Sequence, residues 1–363
     1  MGQPLTVGLI GAGHISAQYL ATLARLDDLR LVAVADLDVE RARTAAEQAG
    51  AVGTTVEGLL ERDDVAAVLN LTVPAAHAET SLATIEAGKG VYVEKPLAAT
   101  TTDARRMVDA AAAAGVVLGG APDTVLGTGI QTARAAVDSG MVGTPVSATA
   151  TMVTPGHERW HPAPDFYYQP GGGPLLDMGP YYVTSLVTLL GPVVRVIGAA
   201  SALRGERVIG SGPRAGERIT VSTPSHVTGA LVHASGAIST LVMSFDGTAT
   251  RAANIEVHGT EGSLTVPDPN RFTGPVSLAT PQDSWRDLPV SAGYRGAARG
   301  YGLADLHWSG AFAGEPTAGR AQGALAFHVL EVMEGVLEAA REGHSVTMTS
   351  TVARPDAVPL DDR

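Results

Sequence analysis

Lys95 stands in Glu94-Lys95-Pro96, directly behind the apolar run Val91-Tyr92-Val93, and is one of only two lysines in 363 residues. Nearly every other cation is an arginine. A guanidinium keeps its charge at any accessible pH, whereas a partly buried ammonium can shift its pKa and move a proton, so a lysine here is a candidate acid-base group. A second constellation, Gly171-Gly172-Gly173-Pro174-Leu175-Leu176-Asp177-Met178-Gly179-Pro180-Tyr181-Tyr182, runs into an apolar helix. Asp177 and Tyr181 are four apart and share a helix face if the helix starts near Asp177. Pro180 is compatible with that start, because the first amides of a helix have no internal partner to lose. The competing structural role is that Asp177 caps the helix while Tyr181 and Tyr182 pack in a core.

A third motif is Gly8-Leu9-Ile10-Gly11-Ala12-Gly13-His14-Ile15-Ser16, in which a strand ends in a glycine turn and a helix begins. Gly11 and Gly13 let backbone approach a pyrophosphate, whose charge the helix N-terminus favours. Asp36 follows about 25 residues later, at the end of the next strand, the spacing of a carboxylate that accepts hydrogen bonds from adenosine ribose hydroxyls and repels a 2'-phosphate. NAD is therefore favoured over NADP, although Arg41 and Arg43 lie close enough in sequence to serve a phosphate. Asp38 is better placed than Asp36 to cap the helix beginning at Val39. At Asn70-Leu71-Thr72-Val73-Pro74 another strand ends at the carboxyl edge of the sheet, so Thr72 and Pro74 are expected on the nicotinamide side. His77 is either part of that side or a solvated residue in the first turn of a helix.

The elements that must hold these residues alternate over the first 120 positions. Strands are expected at Leu5-Ile10, Leu31-Ala35, Ala66-Leu71, Gly90-Val93 and Val116-Leu118, and helices at Ile15-Leu26, Val39-Ala49, His77-Ala87 and Thr102-Ala114. That is the pattern of a doubly wound parallel sheet. A helix at Thr128-Ser139 leads out of it. Beyond Gly143-Thr144-Pro145 the strand-like runs are Val146-Val153, Val193-Ala200, Val227-His233, Ala237-Phe245, Asn254-His258 and Gly262-Val266. Gly236 and Gly259-Thr260-Glu261-Gly262 read as hairpin turns, which predicts a largely antiparallel sheet. Helices are expected at Tyr181-Leu190 and Ala321-Arg341. Residues 268–318 carry Trp285, Tyr294, Tyr301 and Trp308, too many aromatics for a disordered linker. Pro355-Arg363 reads as a polar tail. The expected division is a cofactor domain over 1–121 and a substrate and oligomerisation domain over 122–363.

A chain of 363 residues exceeds what one core usually serves, and 45% apolar content can build two. A formal charge of -12 without a basic run argues against nucleic acid or an anionic membrane as partner. With no cysteine, disulfides, thiolate catalysis and cysteine metal sites are excluded, and no metal is expected. Met1-Gly2-Gln3-Pro4 runs straight into a strand, and no stretch approaches the ~18 unbroken apolar residues of a membrane span, so a soluble, cytoplasmic protein is expected.

Together with Ala121-Pro122-Asp123-Thr124, these motifs resemble the Gfo/Idh/MocA oxidoreductases, named for glucose-fructose oxidoreductase and inositol dehydrogenase, over essentially the whole chain. Glu-Lys-Pro combined with the downstream Gly-Gly-x-x-x-Asp-x-Gly is the specific part. The resemblance implies an N-terminal Rossmann domain with Glu94 and Lys95 at the cofactor, a C-terminal α+β domain with an open sheet, and homodimers or homotetramers. It places Lys95 beside the nicotinamide and the substrate hydroxyl, and Asp177 at the substrate. Many relatives carry a proton-accepting His four residues after that Asp, where this chain has Tyr181. Three repairs are open: a phenol whose pKa the Lys95 ammonium lowers, proton exchange by Lys95 with Tyr181 only hydrogen-bonding, or His161. Trp160, His161 and Tyr168 immediately precede, and Tyr182 ends, the glycine segment that resembles the family's substrate wall, so all four are candidate substrate residues, and an aromatic face such as Trp160 suits a sugar ring. The implied activity is NAD-dependent oxidation of a secondary hydroxyl on a sugar, sugar derivative or cyclitol, or the reverse reduction. The alternatives are a redox-neutral lyase, epimerase or glycoside-cleaving enzyme using a transient ketone, and a non-catalytic cofactor-binding sensor.

Overall fold

A computed structural model of the chain describes residues 3–296 and 299–361. β1 (Leu5–Ile10) is apolar at nearly every position because it is covered on both faces, as a central parallel strand must be. It is followed by α1 (Ser16–Leu23), β2 (Leu29–Ala35), α2 (Val39–Ala49), β3 (Val52–Thr54), α3 (Val56–Leu60), β4 (Ala67–Asn70), α4 (Pro74–Glu86), β5 (Gly90–Val93), α5 (Thr101–Ala114) and β6 (Leu118–Gly120). The strands form one six-stranded sheet in the order β3-β2-β1-β4-β5-β6, and every pairing is parallel. This is the doubly wound Rossmann order, with its switch point between β1 and β4.

Local chemistry fixes the helix ends. Asp38 caps α2 by accepting from the amides of Glu40 and Arg41, and Thr100 caps α5 through the Asp103 amide. Gly50 and Gly115 close the same two helices in the left-handed conformation, at φ 68° and 66°. β3 and α3 have no counterpart among the expected elements. At three and five residues they are too short to show a period.

The chain continues through α6 (Thr128–Asp138), β7 (Pro145–Val153), α7 (Pro174–Leu190), β8 (Val193–Ser201), β9 (Glu206–Val208), β10 (Arg218–Thr220), β11 (His226–His233), β12 (Ile238–Ser244), β13 (Ile255–Gly259), β14 (Ser263–Val266), β15 (Ser277–Ala279), β16 (Arg286–Asp287), α8 (Tyr301–Trp308), α9 (Gly323–Glu342) and β17 (Val346–Thr347). Nine of these strands make a second sheet, β16-β15-β14-β13-β7-β12-β11-β8-β17, antiparallel except for β7 beside β12. Gly236, at φ 90°, turns between β11 and β12, and the Gly259 amide bonds the Gly262 carbonyl at 2.8 Å in the β13-β14 turn. α9 approaches this sheet closely. A Cβ on Gly229 of β11 would lie 2.9 Å from the Ile197 carbonyl and 3.1 Å from Val336 of α9.

By internal packing the chain forms two units: residues up to Leu126 with Gly296–Phe327, and Gly127–Arg295 with His328–Asp361. The segment 296–327 thus belongs with the Rossmann sheet. Asp123 accepts the amides of Gly300 and Gly302 at 2.6 and 3.2 Å, and Trp308 donates to Asp28 at 2.9 Å.

Two expectations need correction. α7 begins at Pro174 rather than near Asp177, so Gly173 is its N-cap and Pro180 lies inside the helix. Residues 355–361 are not a loose tail: the Val358 amide donates to Gln131 at 2.9 Å, Arg134 donates to the Pro355 carbonyl at 2.8 Å, and Val358 is buried. Residues 1, 2, 362 and 363, which the sequence reading assigned to the two termini, lie outside the described residues. No helix among the described residues is long and apolar enough to cross a membrane.

Candidate active site

The glycine turn after β1 is built for close approach. Gly11 has φ 102°, and a Cβ there would lie 2.7 Å from the Leu71 carbonyl carbon and oxygen. At Gly13 a Cβ would meet nothing within 4 Å, so this stretch of backbone faces open space. No hydrogen bond within the chain takes up the amides of Gly13, His14 or Ile15 among the described residues. An anion of the pyrophosphate kind therefore finds donors and the positive end of α1 together. Gly8 serves a different purpose: it lies inside β1, where a Cβ would press on Leu59 at 2.8 Å.

Asp36 closes the turn. Its Oδ2 accepts the Ala12 amide at 2.8 Å, and its Oδ1 accepts the Asp38 amide at 2.9 Å and faces Arg41 at 3.1 Å. Each carboxylate oxygen has further acceptor capacity, which suits ribose hydroxyls. Arg41 is held by Asp36 and Arg43 pairs with Glu40, so both arginines near this turn are already matched to carboxylates.

Lys95 follows β5 and is half-buried, while Glu94 is buried. The two Glu94 oxygens are divided between neighbours: Oε1 accepts from the Tyr19 hydroxyl at 3.0 Å, and Oε2 accepts from the Lys95 amide at 2.7 Å. One carboxylate thus ties the helix behind the glycine turn to the backbone of Lys95. The Lys95-Pro96 bond is cis. His77 is buried, not solvated: its ring nitrogens face the carbonyls of Pro96 at 2.7 Å and Thr72 at 3.1 Å. Burial lowers its pKa, opposed by those two carbonyls. His77 therefore staples the Thr72 turn to the Glu-Lys-Pro segment from behind. Thr72 is half-buried with its hydroxyl on Asn70 at 2.7 Å, and Pro74 is exposed as the first residue of α4. The other lysine, Lys89, is spent on structure, donating to the carbonyls of Arg62 and Val65 at 2.7 and 3.1 Å.

In the second unit Asp177 lies in the first turn of α7, and its Oδ2 is 3.1 Å from Nε2 of His157. His157 opens a short 3-10 turn, His157–Arg159, and is ringed by Phe245, Tyr167 and Trp160 at centroid distances of 4.5, 4.7 and 5.2 Å. A buried ionic cluster behind the turn holds it. Arg207 of β9 donates to Glu158 at 3.2 Å and to the Phe245 carbonyl at 3.1 Å, and pairs with Asp246. Trp160 is 58% exposed, and His161 packs edge-on against Trp160, Phe166 and Tyr167.

The two other expected wall residues face inward. Tyr168 is fully buried with its phenol on Glu158, and Tyr182 is buried with its phenol accepting from Asn254 at 2.8 Å. Burial raises both pKa values, so both phenols stay neutral. Both side chains belong to the core. Tyr181 is also buried, at 3% exposure.

The amino-terminal part, residues 5–120, matches the family model described as an oxidoreductase family with an NAD-binding Rossmann fold, and residues 130–265 match the GFO/IDH/MocA C-terminal domain. Over 265 residues the chain is 33% identical to 1,5-anhydro-D-fructose reductase of Ensifer adhaerens, covering 71% of this chain and 74% of that relative. The chain belongs to the GFO/IDH/MocA oxidoreductases. Inositol 2-dehydrogenase 3 of Saccharopolyspora erythraea is 39% identical over 153 residues, 39% of this chain and 43% of that relative, so the match spans under half of its length. In fold, the chain resembles levoglucosan dehydrogenase in complex with NADH and L-sorbose, at TM-score 0.79 and 22% identity over 96% of this chain and 100% of that one.

This GFO/IDH/MocA oxidoreductase is an NAD-binding enzyme. The amides of Gly13, His14 and Ile15, the open space at Gly13 and the Asp36 carboxylate fit that cofactor. Sequence reasoning did not pair His157 with Asp177. The histidine lies 20 positions before Asp177 and on a different element, so no helical or strand period links the pair.

Proposed function

We propose that this oxidoreductase is an NAD-dependent dehydrogenase or reductase acting on a secondary hydroxyl of a sugar, sugar derivative or cyclitol. The observation that carries the reading is the Tyr19–Glu94–Lys95 link, which anchors a half-buried lysine to the helix of the cofactor turn through one buried carboxylate. When bound, the nicotinamide supplies the hydride acceptor or donor. The chain's residues bind, orient and handle the proton. The Gly11-to-Ile15 turn and Asp36 hold the nucleotide. Lys95 polarises the reacting oxygen, Asp177 and Tyr181 orient it, and Trp160 with His161 offers an aromatic face to the ring. The names of the relatives, a sugar reductase and an inositol dehydrogenase, support this substrate class.

Assembly as a homodimer or homotetramer in the cytoplasm accompanies the reading. Ile197 of β8 and Ile238 of β12, about half exposed on one face of the nine-stranded sheet, support it. The test is Lys95→Met. Its NADH formation should fall by roughly 10²–10⁴-fold, the usual contribution of a positioned acid-base group, while NAD binding measured by fluorescence is retained. Near-normal turnover in that variant would remove Lys95 from the chemistry.

A further inference from the structure

We propose that His157 is the proton-transferring residue of this enzyme, its imidazole held by Asp177 so that the Nδ1 lone pair receives the proton of the substrate hydroxyl. This rests on the dehydrogenase reading above. An ionised carboxylate only accepts hydrogen bonds, so Asp177 Oδ2 at 3.1 Å places the imidazole hydrogen on Nε2. The neutral ring then carries its lone pair on Nδ1, where no hydrogen bond engages it among the described residues. Side-chain exposures of 13% for His157 and 17% for Asp177 leave the pair sheltered yet reachable.

The surroundings fix the ring. Phe245, Tyr167 and Trp160 wall it on several sides, and the backbone it stands on is clamped by Arg207 through Glu158 and the Phe245 carbonyl. Gly156, at φ 106°, makes the turn possible, since a Cβ there would run into Glu158 and the Tyr168 hydroxyl. Glu158, the titratable group next in sequence, is buried and already bonded to Arg207 and Tyr168, which leaves Asp177 as the carboxylate on the imidazole. Competing groups are less suited. His161 uses Nδ1 to accept the Ala163 amide at 3.1 Å, Tyr168 is committed to Glu158, and Tyr181 is buried at 3% exposure.

In the oxidation direction the substrate O–H bond breaks and an Nδ1–H bond forms, giving an imidazolium that the Asp177 carboxylate stabilises. The electron pair left on oxygen becomes the C=O π bond. The C–H electron pair would leave as hydride, which an oxidised nicotinamide accepts when that cofactor is bound, and the imidazolium later returns its proton to water. Reduction runs the same bonds backwards.

Two measurements test this. Heteronuclear NMR of protein labelled at the histidine ring nitrogens, with His157 assigned by comparison with His157→Gln, should show the Nε2–H tautomer, and Asp177→Asn should abolish that preference. An Nδ1–H tautomer in the wild type overturns the proposal without any substrate. In turnover, His157→Gln should lower NADH formation by roughly 10²–10⁴-fold with unchanged NAD binding, and free imidazole should restore part of the rate to His157→Ala. A wild-type rate in His157→Gln overturns the role of His157 and leaves the dehydrogenase reading standing. Silence of the wild type across sugars and cyclitols overturns the dehydrogenase reading, and the proposal with it.

Discussion

Single side chains divide the work by where their second partner lies. Lys89 and Lys95 have the same chemistry, but the first spends its ammonium on two backbone carbonyls while the second follows a strand whose neighbouring carboxylate holds its backbone. Asp36 does two jobs at once, closing the glycine turn through the Ala12 amide and presenting charge at its edge. Asp36→Asn keeps an acceptor for that amide and removes the charge. A hydrogen bond to a charged group contributes about 1.5–3 kcal/mol, so the preference for NAD over NADP should shrink by roughly ten- to a hundredfold in paired KM measurements. An unchanged preference would mean that the Asp36 charge does not select the cofactor. Asp36 and Lys95 stand out in the sequence because each follows an apolar strand. His157 does not, since its pairing with Asp177 comes from a loop folded against a helix.

At the scale of elements, the turn before α7 is held by charge. Arg207, Glu158 and Asp246 are 2%, 6% and 18% exposed as side chains, and the guanidinium sits 5.1 Å over the Tyr168 ring. Removing one member leaves buried charge without compensation, which costs about 3–5 kcal/mol. Arg207→Met should therefore lower the melting temperature and, by loosening the His157 turn, activity as well. Rescue of stability by the further change Glu158→Gln would support the ionic account, and a melting temperature equal to wild type in Arg207→Met would contradict it. Five of the six strands of the parallel half were readable to within a few residues because they are apolar runs separated by helices, whereas β3 and α3 were too short to show a period. The start of α7 was not readable, because Gly173 gives no side-chain cap and Pro180 sits where a helix interior rarely tolerates it.

Over the whole molecule, buried imidazoles set the response to acid. Burial lowers the pKa of His77 in the first unit and of His233 and His328 in the second. The unfolded chain takes up protons at these sites from the ordinary value of 6.5 downward, while the folded chain holds them neutral to lower pH. Their contribution to stability is therefore complete above that value and lost as pH falls below it. His328 shows why: its Nε2 accepts the Val193 amide at 3.1 Å, a bond that protonation abolishes. Asp123 works in the opposite sense, since burial raises its pKa and acid relieves its charge. Thermal unfolding from about pH 7 down to about pH 5 should lose more stability in wild type than in His328→Gln, which keeps an acceptor that does not titrate. Equal losses would remove His328 from the acid response. The return of residues 296–327 to the Rossmann unit was invisible to local pattern, because it depends on Asp123 capping a turn nearly two hundred residues downstream.

The most direct test of the whole account is reduction of NAD, with NADP in parallel, followed by nicotinamide absorbance across inositols, aldoses, anhydrosugars and uronic acids. The account predicts NADH formation with one of these classes and a clear preference for NAD. No reduction with any of them, by protein shown to hold NAD, would contradict it.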